Sequence, residues 1–274
     1  MSGSPMSGSP MSGSPRSGSS RSGPGWGPYL VGYHDDRPGI TEQVLAVARD
    51  GDGRSPYDWL AEAVPPGSAT VVDLACGSGP VARLLPGARV VGIDQSTGEL
   101  AMARAVSPSA LLVRARATAM PVADGAADAV VSSMALMLLA PLDAVLGEVR
   151  RVLRAGGTFA ATVPVRSVGA ESVFAEILDA LGQVGTGYPC DLDSSSIAGR
   201  LAAAGLALEV DDTGLFTRTL VDEEDARVVV RSFYAPGSDD ARVAAAAAVL
   251  ERRLRSGPVR IGYRIRRLVA VARR

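Results

Sequence analysis

Short apolar runs alternate along the middle of the chain with segments whose apolar residues recur every three or four positions. The runs at 70–75, 89–93, 110–114, 128–133 and 158–163 have the length and apolar content of strands buried on both faces. Helical spacing separates them near 81–85, 97–106 and 142–153. Alternation of this kind predicts a parallel sheet with helices on both of its faces. Ahead of the first strand, 43–49 and 57–64 carry helical spacing as well. After Pro164 the pattern loosens. Helices are expected over 171–181 and 195–204, then strand-like sequence over 206–220 and a second helical insert over 223–233 and 239–255. The closing stretch 263–272, rich in Ile, Val and Leu, reads as a last strand entering between earlier ones.

Residues 1–25 follow none of these periods. MSGSP occurs three times in succession and then decays into RSGSS and RSGPG. Such Gly/Ser/Pro sequence buries too little apolar surface to offset chain entropy, so a disordered tail is expected. The whole chain of 274 residues is 47% apolar and 21% charged, as in globular proteins. Its net charge of −1 argues against a broad nucleic-acid footprint. Arginines 252, 253, 255, 260, 264, 266 and 267 form a basic C-terminal stretch. It reads as a solvated helix face plus strand ends balanced by acids elsewhere, with no aromatic stacking platform beside it. The longest apolar run, 129–142, is interrupted by Ser132 and Ser133 and is too short to span a bilayer. The first residues lack the apolar core of a signal peptide. Two cysteines, Cys76 and Cys190, are too few for a disulfide framework. A cytoplasmic location, with no membrane and no metal, is the expectation.

The most telling chemistry lies in Val71-Val72-Asp73-Leu74-Ala75-Cys76-Gly77-Ser78-Gly79-Pro80. A buried-strand run ends in an acid, then comes a small-residue turn and a proline able to open a helix. About seventeen residues past Gly77, the second strand ends in another acid, Asp94. That spacing describes a nucleoside pocket at the carboxyl end of a parallel sheet. The turn formally satisfies the dinucleotide fingerprint G-x-G-x-x-G/A, but in such folds the preceding strand is apolar up to the first glycine. Asp73 would repel a pyrophosphate and attract a cation. A nicotinamide-dependent oxidoreductase is thereby disfavoured.

VVDLACGSG resembles the first motif of class I S-adenosylmethionine-dependent methyltransferases, and VVGIDQS resembles their second, acidic motif. Ala115–Pro121 followed by DGAADAVV is similar to the segment that leads into their fourth strand. Leu142–Gly157, ending EVRRVLRAGG, is similar to the helix and Gly-Gly turn before the fifth. These motifs stand in order over Val71–Val163, in the manner of the small-molecule, ubiquinone- and menaquinone-type branch. The resemblance implies an α/β fold: a Rossmann-like doubly wound, mostly parallel seven-stranded sheet with helices on both faces and a helical lid. It divides 26–274 into an N-terminal helical lid (26–67), a cofactor-binding core (68–164) and an acceptor-side C-terminal half with helical inserts (165–274). The implied cofactor is S-adenosyl-L-methionine. The implied reaction is methyl transfer to a small-molecule acceptor, a specialised metabolite or quinone-like compound, with a homodimer as the assembly to test.

The same resemblance assigns roles. Asp73, Ala75, Cys76, Gly77 and Gly79 would form the loop around the methionine part. Asp94 would accept from both ribose hydroxyls, Gln95 would flank the adenine, and Arg116 and Ala117 would lie at its edge. Ser132 and Ser133 would line the cleft after the fourth strand. Two positions depart from the pattern. Arg116 stands where relatives carry an acid that accepts from the adenine amine, and arginine accepts nothing. Met137 stands nearest to where a histidine often follows the fourth strand. No residue is marked as a catalytic group by its motif; His34, the sole histidine, and Tyr33 are the candidates, with a structural role for each as the competing reading. Cys76 reads as a small packed residue rather than a nucleophile. Arg116 also leaves open a methyltransferase-like protein that transfers no methyl and instead binds a ligand or catalyses a rearrangement.

Overall fold

Val71, Val72, Leu74, Val130, Val131 and Phe159 are almost wholly shielded from solvent, as strands covered on both faces require. They belong to β1 (Thr70–Leu74), β4 (Ala127–Ser133) and β5 (Leu153–Pro164), joined in the sheet by β2 (Arg89–Asp94) and β3 (Leu111–Arg114). The computed structural model describes residues 26–165, 173–183, 187–190, 192 and 194–274; the 1–25 tail and part of the 171–181 helix lie outside them. Two long strands, β6 (Leu206–Leu220) and β7 (Val259–Ala272), complete a seven-stranded sheet of order β3-β2-β1-β4-β5-β7-β6. Strands β1 to β5 are parallel, and β7 enters antiparallel between β5 and β6. The chain therefore forms the Rossmann-like, mostly parallel sheet, with the closing strand inserted as its apolar composition implied.

The nine described α-helices are α1 (Trp26–Asp36), α2 (Ile40–Leu45), α3 (Pro56–Ala61), α4 (Thr97–Val106), α5 (Leu142–Val152), α6 (Val173–Ala180), α7 (Ser194–Ala203), α8 (Glu223–Arg231) and α9 (Asp240–Leu254). Helices α5 and α7 pack Val145, Leu146, Val149, Ile197 and Leu201 against one face of the sheet. Helices α2 and α3 pack Val44, Leu45, Trp59 and Leu60 against the other. Helices α6, α8 and α9 share a third apolar cluster with the ends of β6 and β7. No helix among the described residues is long and apolar enough to cross a membrane.

Three local differences from the sequence pattern have physical causes. The helix expected at 81–85 is only a 3₁₀ turn, Ala82–Leu84, because Pro80 and Pro86 bracket too few residues for an α-helical ladder. The first helix of the 43–49 stretch starts earlier, at Ile40, because Gly39 adopts φ 74° and turns the chain into α2. Helix α1 carries two glycines and a proline, which mask it in the sequence; packing of its aromatic residues supports it instead. Two of the C-terminal arginines also proved to be more than solvated strand ends. Arg266 is buried and pairs with Asp211 through two bonds of 2.6 Å, and Arg267 pairs with Asp212 while its guanidinium lies 4.3 Å from the centre of the Trp59 ring.

Candidate functional site

Strand β1 lies between β2 and β4, so the chain leaves it in opposite directions and a crevice opens at their carboxyl ends. A cavity of about 850 Å³ occupies that crevice. Its floor is the turn Leu74–Ser78, shaped by positive φ at Ala75 (55°), Gly77 (52°) and Gly79 (81°). A Cβ on Gly79 would stand 3.3 Å from the Ala103 Cβ of α4, so glycine serves both the turn and the close helix. At the end of β2, Asp94 accepts the Gly77 N–H on Oδ2 and the Ser96 N–H on Oδ1, each at 2.9 Å. Each oxygen keeps a further acceptor site. Ala115, Arg116, Ala117 and Thr118 form the wall beyond β3. Arg151 of α5 pins that segment by donating to Met120 O and Val122 O, while Glu148 accepts the Met120 N–H.

Asp73 lies behind the cavity wall. It is 1% exposed, and neither carboxylate oxygen has a hydrogen-bond partner. Strand alternation puts it on the Val71 side of β1, where its Cα neighbours across the sheet are Gly92 and Val131. Burial, reinforced by the nearby charge of Asp94, raises its carboxyl from 3.8 to about 7. A buried acid without a partner, one residue behind the turn, fits a cationic group seated in the crevice and disfavours an anionic one.

Helices α1 and α2 are fastened to this turn and to α4 by their own polar groups. Asp35 at the end of α1 accepts from the Ser96 hydroxyl at 2.8 Å, the Thr97 hydroxyl at 3.2 Å and the Gly98 N–H at 3.1 Å, which caps the start of α4. These bonds hold the Asp35 carboxyl below its ordinary range. Glu42 of α2 bonds Ser78 in the turn and pairs with Arg83. Glu99 is 3% exposed; its Oε2 accepts the Gly39 N–H at 3.0 Å and its Oε1 lies 2.9 Å from His34 Nδ1. His34 Nε2 is 3.2 Å from the Tyr234 hydroxyl, contributed by the segment after α8. His34, Glu99 and Tyr234 all border the cavity.

Of the residues singled out in the sequence, Ala75, Cys76, Gly77, Asp94, Gln95, Arg116, Ala117, Ser133 and His34 line the cavity. Gly79 supports the turn from behind. Asp73, Ser132 and Tyr33 do not reach the wall. Ser132 is wholly buried with no partner for its hydroxyl, because alternation along β4 turns it away from the side Ser133 serves. Tyr33 is 4% exposed and its hydroxyl donates to Arg231 O at 2.7 Å, so it packs α1 against the end of α8. Cys76 is 4% exposed, and burial, with the carboxylates of Asp73 and Asp94 nearby, pushes its thiol far above the ordinary range, which disfavours the thiolate a nucleophile needs. Met137, 3% exposed, is a core residue.

Glu99, Tyr234 and Glu42 escaped the sequence reading. Ser96-x-x-Glu99 has the form of a capping box, and Ser96 does accept the Glu99 N–H at 3.1 Å. The Glu99 carboxylate, however, turns to His34 and Gly39 instead of back to Ser96. Tyr234 lies 200 positions from His34, and no local pattern marks it.

The crevice also fits S-adenosylmethionine by chemistry: free acceptor sites on Asp94 for a diol, an unpartnered acid behind the turn for a cation, and a half-enclosed apolar space beyond. Comparisons with known proteins agree with that fit. Residues 72–161 match the family model described as a methyltransferase domain. A demethylmenaquinone methyltransferase from Beutenbergia cavernae is 37% identical over 134 residues, covering 47% of this chain and 55% of its own. The chain spans about half the length of the curated relatives it matches. Among solved structures, the YcgJ protein of Bacillus subtilis superposes with a TM-score of 0.59 at 15% identity, covering 80% of this chain and 98% of that one. The [4+2]-cyclase SpnF superposes with a TM-score of 0.55 at 21% identity, covering 89% and 93%. These two likenesses concern the fold.

Proposed function

We propose that this chain, whose residues 72–161 belong to the methyltransferase domain family, moves a methyl group from S-adenosyl-L-methionine to a small-molecule acceptor held beneath the helical lid. A specialised metabolite or a quinone-like compound suits the apolar lid and cavity wall. The single observation that carries the reading is the pair of acids at the carboxyl ends of β1 and β2. Asp94 faces the crevice with acceptor sites to spare, and Asp73 stands unpartnered behind it. Bound there, S-adenosylmethionine supplies a methyl group already activated on a sulfonium. The residues of the chain then align and desolvate. Asp94 would hold the ribose diol, Ala75 to Ser78 would receive the methionine part, and Gln95, Arg116 and Ala117 would lie beside the adenine. Residues 26–67 and the segment around Tyr234 close over the acceptor. A cytoplasmic location and a homodimer belong to the same proposal.

The test is release of S-adenosylhomocysteine and mass gain of one methyl on members of a small-molecule panel, with the purified chain as the only protein. Turnover supports the reading; cofactor binding with no methyl acceptor in a broad panel favours the second reading. That reading, a methyltransferase-like protein which binds or rearranges its ligand, draws on Arg116 at the adenine edge and on the sharing of this fold with a cyclase.

A further inference from the structure

We propose that Tyr234, His34 and Glu99 form a proton relay that deprotonates a hydroxyl acceptor, a phenol or an enol, so that the site methylates oxygen. The proposal rests on the methyl-transfer reading above. Glu99 is anchored by the Gly39 N–H at 3.0 Å, so its Oε1 stays fixed 2.9 Å from His34 Nδ1. A carboxylate only accepts, which places the ring proton on Nδ1 and the lone pair on Nε2. The Tyr234 hydroxyl, 3.2 Å from Nε2, is then the donor of that bond. The Thr41 side chain also hydrogen-bonds this hydroxyl, and with the proton given to Nε2 the oxygen has a second acceptor site for a group in the cavity that both residues border. Burial keeps the Tyr234 phenol protonated well above its usual range, so it passes a proton on without holding negative charge.

The surroundings select the acceptor class. Leu30, Val31 and His34 lie on one face of α1, at spacings of three and four, and line the cavity together with Leu138, Leu139 and Pro189. The relay and these apolar side chains thus border one cavity. A carboxylate acceptor arrives ionised and needs a cation there, and the only arginine on the cavity wall among the described residues, Arg116, stands beyond β3. An amine acceptor attacks as the neutral base, with its lone pair already free, so a relay that draws a proton off the nucleophile serves a hydroxyl. A weakly acidic hydroxyl on an apolar body suits both the apolar lining and the relay.

In the step, the acceptor oxygen's electron pair forms the bond to the methyl carbon and the carbon–sulfur pair stays on sulfur. The acceptor proton passes to Tyr234 Oη as the Tyr234 proton passes to Nε2. The imidazolium so formed lies beside the Glu99 carboxylate and, with 22% of its side chain exposed, returns its proton to water.

His34 is the only histidine in the chain, so its ring nitrogens give unique signals in a proton–nitrogen spectrum. The neutral ring is expected as the Nδ1–H tautomer, and Glu99→Gln is expected to shift it toward Nε2–H. With labelled S-adenosylmethionine, 1-naphthol and 4-hydroxycoumarin are the hydroxyl probes, against benzoate and benzylamine. Tyr234→Phe and His34→Gln are expected to lower kcat by about a hundredfold and to leave S-adenosylhomocysteine affinity within about threefold, where a merely structural loss would weaken both. An Nε2–H ring in the wild-type protein, or a tautomer indifferent to Glu99→Gln, overturns the relay. Methylation of neither hydroxyl probe, or of benzoate or benzylamine alone, overturns the acceptor class. Loss of S-adenosylhomocysteine binding in the wild-type protein would instead sink the methyl-transfer reading, with the tautomer result standing apart.

Discussion

Asp73→Asn should make the protein less sensitive to rising pH. The native carboxyl has no hydrogen-bond partner and is raised from 3.8 to about 7 by burial and by Asp94. At about 1.4 kcal/mol per pH unit, ionising it in place costs about 4 kcal/mol. The sign follows from proton counts. Between about pH 4 and pH 7 the folded state holds the Asp73 proton that the unfolded chain has released, so stability falls as pH rises through this window and levels above it. Asp35, Asp128, Glu148 and Asp211 are lowered instead, and their contributions are lost as pH falls. They are common to both proteins and cancel in the difference. Asparagine keeps the shape and removes the charge; its own unpaired amide costs about 1–3 kcal/mol equally at every pH. Urea unfolding of both proteins at pH 5, 6, 7 and 8 reads the difference. The wild type is expected to lose about 3 kcal/mol relative to the variant across that range. A difference constant to within about 0.5 kcal/mol would refute the placement of Asp73 as a buried, unpaired acid. The same logic makes S-adenosylmethionine, with its sulfonium, bind more tightly at pH 8 than at pH 5 relative to S-adenosylhomocysteine, and Asp73→Asn should abolish that preference.

Gly79→Ala forces a side chain into φ 81° and 3.3 Å from the Ala103 Cβ, and should cost about 1–2 kcal/mol in urea unfolding. Arg266→Met removes both bonds to Asp211, whose carboxyl they hold below its ordinary range; a loss of about 1–3 kcal/mol is expected, with the Asp211 carboxyl rising toward its ordinary range in a carbon-13 titration. A thiol-reactive reagent at pH 8 should reach half-buried Cys190 before Cys76, and Cys76 only after unfolding; rapid modification of Cys76 in the native protein would contradict its burial.

The motif carried the pocket but not the direction of each side chain within it. The ordered spacing of Asp73, Gly77 and Asp94 located the crevice because a parallel βα turn admits few geometries. Whether Asp73 reaches the wall depends on strand alternation against Gly92 and Val131, which sequence spacing alone leaves open. Ser132 and Ser133 show the same limit: adjacent residues of one strand face opposite ways, and only Ser133 borders the cavity. The candidate pair Tyr33 and His34 also divided. A turn of about 100° between neighbours on a helix sends Tyr33 toward the end of α8 and His34 to the cavity. Glu99 was hidden by its second identity as a cap residue, and Tyr234 by the long chain path between its segment and α1. Helical propensity understated α1, since Gly27, Pro28 and Gly32 weaken it and its contacts with Tyr234 and α4 are tertiary.

Calorimetric titration with S-adenosylhomocysteine and with NAD addresses the nucleoside crevice most directly, using the wild type and Asp94→Asn. One equivalent of S-adenosylhomocysteine is expected to bind the wild type, with affinity about tenfold to a hundredfold lower in Asp94→Asn as a charge-assisted acceptor is lost, and NAD is expected not to bind. Binding of NAD in place of S-adenosylhomocysteine, or an affinity indifferent to Asp94, would contradict the assignment of the site.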